Sequence, residues 1–153
     1  MPKALLWMYA GLIGAAVGSF LNVCIFRLPE GKSVVRPASR CPGCETPIRH
    51  RDNIPVLGWL LLRGRCRTCG VRISVQYPFV EFVTALLWIA AVARYGLSWQ
   101  ALSTAIFFSL LLGISLTDAR TYIIPDEFSL GGLVLGLLLA FAPGGITPHR
   151  ALA

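Results

Sequence analysis

Charge is what this chain has least of. Only 14% of its 153 residues are Asp, Glu, Lys or Arg, and only seven are acidic, while 56% are hydrophobic. Soluble domains are about 45–50% apolar and about 25% charged, so a membrane composition is indicated and an ordinary water-soluble domain is excluded. The mean hydropathy of +0.68 agrees. Also missing is an aromatic platform interleaved with the basic residues, on which single-stranded nucleic acid would stack. Nucleic-acid binding is therefore not the reason for the net charge of +7. A third absence concerns the N-terminus. The apolar stretch 4–26 ends at Arg27 without a small-residue cleavage site. At about 23 residues it also exceeds the ~7–15-residue apolar region of a secretory signal. It is expected to remain as a membrane-spanning helix.

The charge that exists is concentrated. Segment 27–76 carries ten basic residues against three acidic ones, Glu30, Glu45 and Asp52; outside it the two signs balance. The whole +7 thus lies in one loop, and loops rich in Lys and Arg stay on the cytoplasmic side of the membrane.

That loop holds two Cys-x-x-Cys pairs, Cys41-Pro42-Gly43-Cys44 and Cys66-Arg67-Thr68-Cys69, with 21 residues between them. The spacing is close to that of four-cysteine zinc sites. Two short knuckles supply four thiolates to a tetrahedral ion without strain, and four thiolates close its shell, which makes the site structural. Arg40, Arg65 and Arg67 would help hold the thiolates against their mutual repulsion. A disulfide framework is disfavoured in a reducing cytoplasm, and no βαβ context supports a thioredoxin-like pair. Cys24, inside an apolar helix, is read as packing, and His50 as a surface residue.

Apolar runs give further segments at 77–94, 99–117 and 128–142. A span needs about 20 apolar residues, and the last run has fifteen before Pro143, so it is short, tilted or incomplete. Gly11, Gly14 and Gly18 would let a second helix approach closely. Tyr95 and Trp99 sit where interfacial aromatics belong. The expected fold is an all-α polytopic membrane protein with about four transmembrane helices and a cytoplasmic zinc-binding loop between helices 1 and 2. Parity then places the N-terminus outside, 95–98 in an external turn, and 118–127 on the same face as the loop.

Asp118 follows nineteen uncharged residues. A carboxylate there is either functional or a marker of the water interface with Arg120 as its partner. Asp126 lies eight residues on, behind Pro125. A continuous helix would separate the two by about 12 Å along its axis, and Pro125 interrupts it, so they are badly placed to share a proton. Asp126 and Glu127 are expected to open the next helix as first-turn acids. Glu81 is either interfacial or paired with a loop arginine.

Several stretches together strongly resemble the bacterial prepilin leader peptidases. They are Gly18-Ser-Phe-Leu-Asn-Val-Cys-Ile-Phe-Arg27-Leu-Pro29, Ser39-Arg-Cys-Pro-Gly-Cys44, Asn53-Ile-Pro-Val-Leu-Gly-Trp59, Arg63-Gly-Arg-Cys-Arg-Thr-Cys-Gly70, Tyr77-Pro-Phe-Val-Glu81 and Asp118-Ala-Arg-Thr-Tyr-Ile-Ile-Pro-Asp126. The likeness runs over about 11–139. It implies a multi-pass aspartic peptidase of the bacterial inner membrane that also N-methylates its product. The substrates implied are type IV prepilins and type II secretion pseudopilins, whose short basic leader is cut after a glycine; the new N-terminus is then methylated from S-adenosylmethionine. By the same resemblance Asp118 is one of two catalytic aspartates, and the loop with Cys41, Cys44, Cys66 and Cys69 is associated with zinc and with methylation. The partners implied are the prepilin and membrane lipid, with no nucleic acid. The second family aspartate belongs to a Gly-x-Gly-Asp motif that this sequence does not contain. The chain is therefore expected to be the N-terminal half of such an enzyme, from a truncated or frameshifted gene or a fragment; alone it is expected not to cleave prepilin, and a separate C-terminal half is a candidate partner. The alternative is a non-catalytic zinc-stabilised membrane module or inactive fragment that binds prepilins or a partner half without cutting.

Overall fold

Long uncharged stretches in hydrocarbon must satisfy every backbone N–H and C=O internally, and a helix does so. The computed structural model describes residues 2–141. Among them there is no strand, only helices, turns and two isolated bridges. Ala142, Pro143-Gly144-Gly145 and the 147–153 tail lie outside the described residues. Five α-helices follow in order: α1 (Lys3–Arg27), α2 (Leu57–Leu61), α3 (Gln76–Tyr95), α4 (Trp99–Thr121) and α5 (Asp126–Ala140). Of these, α1, α3 and α4 are long and apolar enough to cross a membrane. The 15 residues of α5 reach about 22 Å at ~1.5 Å per residue, short of a ~30 Å hydrocarbon core. The all-α membrane fold holds, with three full-length spans among the described residues.

Glycine spacing sets the closest helix pair. A Cβ on Gly14 would come within 2.9 Å of the Ala85 backbone, and one on Gly18 within 2.7 Å of the Glu81 Cα. α1 and α3 thus meet backbone to backbone, the close approach that small residues four apart permit in membranes. α4 joins them through Gly113, where a Cβ would meet Leu21 and the Phe128 ring at 2.7 and 2.9 Å. Leu21, Cys24, Ile25, Val80 and Phe128 form the buried core. Cys24 belongs there as packing.

Buried hydroxyls bond within their own helices. Thr84, Ser109 and Thr117 donate to the carbonyls of Val80, Ala105 and Gly113 at 2.7–2.8 Å, which leaves no orphan hydroxyl in an apolar setting. Ser109 also accepts the Trp88 indole N–H at 3.1 Å, tying α4 to α3. Ser98 caps α4 by accepting the Ala101 N–H at 3.2 Å, the usual role of serine before a first turn.

Four residues bring the ends of the long helices together. The Phe26 and Tyr77 rings stack with centroids 5.2 Å apart and planes within 7°. The Arg120 guanidinium lies 4.1 Å over the Phe26 ring and donates to Gln76 Oε1 at 3.2 Å. The 28–75 loop, which leaves α1 beside Phe26 and enters α3 at Gln76, therefore shares one end of the bundle with the last turn of α4.

Candidate metal centre and membrane-face carboxylates

The two cysteine pairs fold into the same miniature hairpin. In the first, the Cys41 N–H donates to the Thr46 carbonyl at 3.1 Å and the Glu45 N–H to the Cys41 carbonyl at 2.9 Å. In the second, the Cys66 N–H donates to the Val71 carbonyl at 2.9 Å and the Gly70 N–H to the Cys66 carbonyl at 3.0 Å. Isolated bridges Arg40–Pro47 and Arg65–Arg72 close the two units at equivalent positions. Each needs a left-handed residue after its second cysteine. Gly70 takes φ 72° without cost, whereas Glu45 takes φ 55°, a conformation uncommon outside glycine.

Facing each other, the hairpins gather four sulfurs within 4.8 Å. Cys41 and Cys69 Sγ lie 3.7 Å apart, and Cys44 and Cys66 Sγ 3.9 Å. A tetrahedron built on metal–sulfur bonds of about 2.3 Å has an edge of about 3.8 Å, so the four thiols can hold a metal ion. Backbone amides already serve thiolate at matched places: the Gly43 N–H points at Cys41 Sγ and the Thr68 N–H at Cys66 Sγ, both at 3.4 Å. N–H groups of Cys69 and Thr68 pull the Cys66 thiol down to about 6, and the Thr46 hydroxyl and N–H lower Cys44. Cys69 moves the other way, to about 12; the Val71 N–H pulls it down, but burial and the three neighbouring thiols outweigh that donor. Four thiolates do not stand side by side unless a cation compensates them. Cys24 lies outside the cluster, and His50 is exposed.

A chain of contacts fastens this centre to the bundle. Arg67, between the cysteines of the second hairpin, grips Asp52 with two parallel hydrogen bonds of 2.9 and 2.6 Å. This charge-assisted fork holds the Asp52 carboxyl below the usual carboxylate range. Just beyond Asp52 the backbone folds back so tightly that a Cβ on Gly58 would collide with the Asp52 carbonyl oxygen. Between them Val56 adopts φ 61° and ψ −51°, and the Leu57 N–H donates to the Pro55 carbonyl at 2.6 Å. That is a γ-turn of the rare, strained kind, at a β-branched residue that avoids positive φ. What holds it is Glu81 of α3, whose carboxylate accepts the Val56 N–H at 2.6 Å. On the far side of α2, the Trp59 indole N–H donates to the Ile73 carbonyl at 3.1 Å.

Glu81 is buried at 7% exposure and pairs with loop backbone, not with a loop arginine. Sequence reasoning registered this carboxylate but had no way to find its partner 25 residues back. Asn22 was missed altogether. It is 1% exposed, its side-chain N–H donates to the Tyr77 carbonyl at 3.0 Å, and its Oδ1 is buried without a partner. An amide in an otherwise apolar run was the available signal.

Asp118 sits in the last turn of α4, exposed, with its backbone carbonyl accepting the Tyr122 N–H at 2.8 Å. Tyr122, left-handed at φ 54°, ends that helix. Arg120 is turned to Phe26 and Gln76, so it does not neutralise Asp118. Among the described residues the ion pairs are Lys32–Glu30 and Arg67–Asp52, and Asp118 enters neither. Asp126 and Glu127 occupy the first turn of α5, across the Tyr122–Pro125 bend.

Comparison with known proteins bears on the same residues. Residues 12–95, more than half of the chain, match the Bacterial Peptidase A24 N-terminal domain. A prepilin leader peptidase/N-methyltransferase of Myxococcus xanthus is 44% identical over 133 residues, covering 87% of this chain and 40% of that protein. One from Klebsiella pneumoniae is 42% identical over 142 residues, covering 86% and 62%. The type 4 prepilin-like proteins leader peptide-processing enzyme of Escherichia coli is 40% identical over 147 residues, covering 84% and 55%. The chain thus spans less than two thirds of the length of these relatives. No solved structure matches it. The matched stretch takes in both cysteine hairpins, the Val56 turn and the α1–α3 glycine contact, and over it the chain belongs to the bacterial peptidase A24 N-terminal domains.

Proposed function

We propose that the chain is the metal-bearing part of a prepilin leader peptidase/N-methyltransferase of the bacterial inner membrane, with Asp118 one of its two catalytic aspartates. One observation carries this reading. The Arg120–Phe26–Tyr77 stack sets Asp118, which has no ion-pair partner among the described residues, on the same bundle end as the four-cysteine loop. The relatives named above supply the activity by their names.

The +7 loop supports a cytoplasmic location for that end, where a prepilin would present its basic leader. There Asp118 acts on a water as general base while a second, protonated carboxylate polarises the scissile carbonyl. Asp126 is not that second group; it opens a separate helix behind Pro125. Cys41, Cys44, Cys66 and Cys69 would hold Zn²⁺, whose role there would be to organise the loop, since four thiolates would leave no open position for substrate. S-adenosylmethionine, when bound, supplies the methyl group for the new N-terminus. The chain's own residues contribute the loop framework on which that step takes place.

The test is a chimera in which this chain replaces the matching region of the full-length Myxococcus xanthus relative. Membranes carrying it are given a type IV prepilin and S-adenosylmethionine, and leader loss and methylation are read separately by mass. Both are expected. A chimera that inserts and binds metal yet performs neither reaction would leave the alternative, a non-catalytic prepilin-binding module.

A further inference from the structure

The loop's short helix and the turn before it present apolar side chains that nothing among the described residues covers. Ile54, Leu57, Leu60 and Leu61 are 46%, 57%, 55% and 77% exposed, within the most basic segment of the protein. In a loop facing water such a cluster would be an unexplained apolar patch.

Its height along the bundle gives it a solvent. Glu81 is the sixth residue of α3, about 8 Å along the axis from the helix start. The Val56 N–H, one residue before α2, bonds to that carboxylate at 2.6 Å. α2 is therefore held level with the first turns of a membrane-crossing helix, whose second residue, Tyr77, stacks on Phe26. Arg63 and Arg65 follow Leu61 by two and four residues and have no acidic partner among the described residues. At ~3.3–3.6 Å per residue they stay within reach of the same patch.

We propose that α2 is an interfacial anchor, with Ile54, Leu57, Leu60 and Leu61 immersed in the cytoplasmic leaflet and Arg63 and Arg65 on anionic phospholipid headgroups. An apolar face flanked by arginines fits an anionic leaflet in charge and in depth. The Glu81–Val56 bond joins this surface to the spans, so lipid under α2 and lipid around α3 form one boundary. The inference requires only that α1, α3 and α4 cross a membrane, not that the chain takes part in peptide cleavage.

Photocrosslinking of the full chain in nanodiscs tests it. Leu61→p-benzoylphenylalanine is compared with the same replacement at Leu86, a half-exposed position inside α3. Discs are made of phosphatidylglycerol or of phosphatidylcholine, and adducts are identified by intact mass. Position 61 is expected to form lipid adducts in both, with a yield, normalised to position 86, roughly fivefold higher in phosphatidylglycerol. Arg63→Gln with Arg65→Gln should remove that preference while leaving the adducts in phosphatidylcholine. Adducts at 61 to a second copy or another segment of protein would overturn the proposal, as would lipid adducts at 86 with none at 61. Equal normalised yields in the two lipids would overturn the headgroup part.

Discussion

The carboxylate of Glu81, buried in a membrane-crossing helix, accepts the backbone N–H of Val56 at 2.6 Å. The bond fixes a strained turn and ties the cysteine loop to the bundle. Glu81→Ala would leave the half-buried Val56 N–H without its acceptor, at a cost of about 1–3 kcal/mol. Glu81→Gln keeps an acceptor at the same reach. Tryptic cleavage of the arginine-rich loop in intact membranes should accelerate severalfold in Glu81→Ala and change little in Glu81→Gln. Equal protection in all three would mean that the loop is held by other contacts.

The cysteine hairpins carry a second prediction. Purified protein should contain one zinc per chain, and Cys66→Ser or Cys41→Ser should lose it. Structural zinc supplies folding energy where it binds, so the loop should become protease-sensitive while the far-ultraviolet signature of the spanning helices stays. Stoichiometric metal in a double variant lacking both Cys41 and Cys66 would place the ion elsewhere.

Much of this architecture could be read from one dimension, and the missing part has a common cause. Spans and cysteine pairs are signals of local composition and spacing, because uncharged runs and Cys-x-x-Cys steps keep their meaning whatever surrounds them. The Val56–Glu81 bond and the Arg120–Phe26 contact join residues 25 and 94 positions apart, and no local periodicity records such pairings. Arg120 shows the consequence. Beside Asp118 in sequence it looks like an ion-pair partner, yet in space the stacked rings and Gln76 claim it. The positive φ of Val56 was equally hidden, since its residue type argues against it.

A third prediction concerns acid. The hydrogen bonds and charge of Arg67 lower the Asp52 pKa on folding. A group depressed this way stabilises the fold above its unfolded value, about 3.9, and that contribution disappears as pH falls through the folded value. Amide hydrogen exchange in residues 50–70 should therefore be faster in Asp52→Asn than in the parent protein at pH 7. The difference should shrink as pH falls below about 3.9 and close once the Asp52 carboxyl of the folded parent is itself protonated. A gap that persists unchanged into acid would show that the Asp52 contribution is not its ionised pair with Arg67.

The most direct measurement of the central claim replaces one atom group at the membrane face. In the Myxococcus xanthus chimera, Asp118→Asn and Asp126→Asn are assayed for prepilin leader cleavage, with zinc content measured on the same preparations. Asp118→Asn should reduce cleavage by at least about a thousandfold, as expected when a general base is lost together with the carboxylate pair it belongs to. It should keep its full zinc content, and Asp126→Asn should retain most of the activity. Cleavage that survives Asp118→Asn near the parent rate, in a chimera that otherwise works, would contradict the assignment of Asp118 and the functional reading built on it.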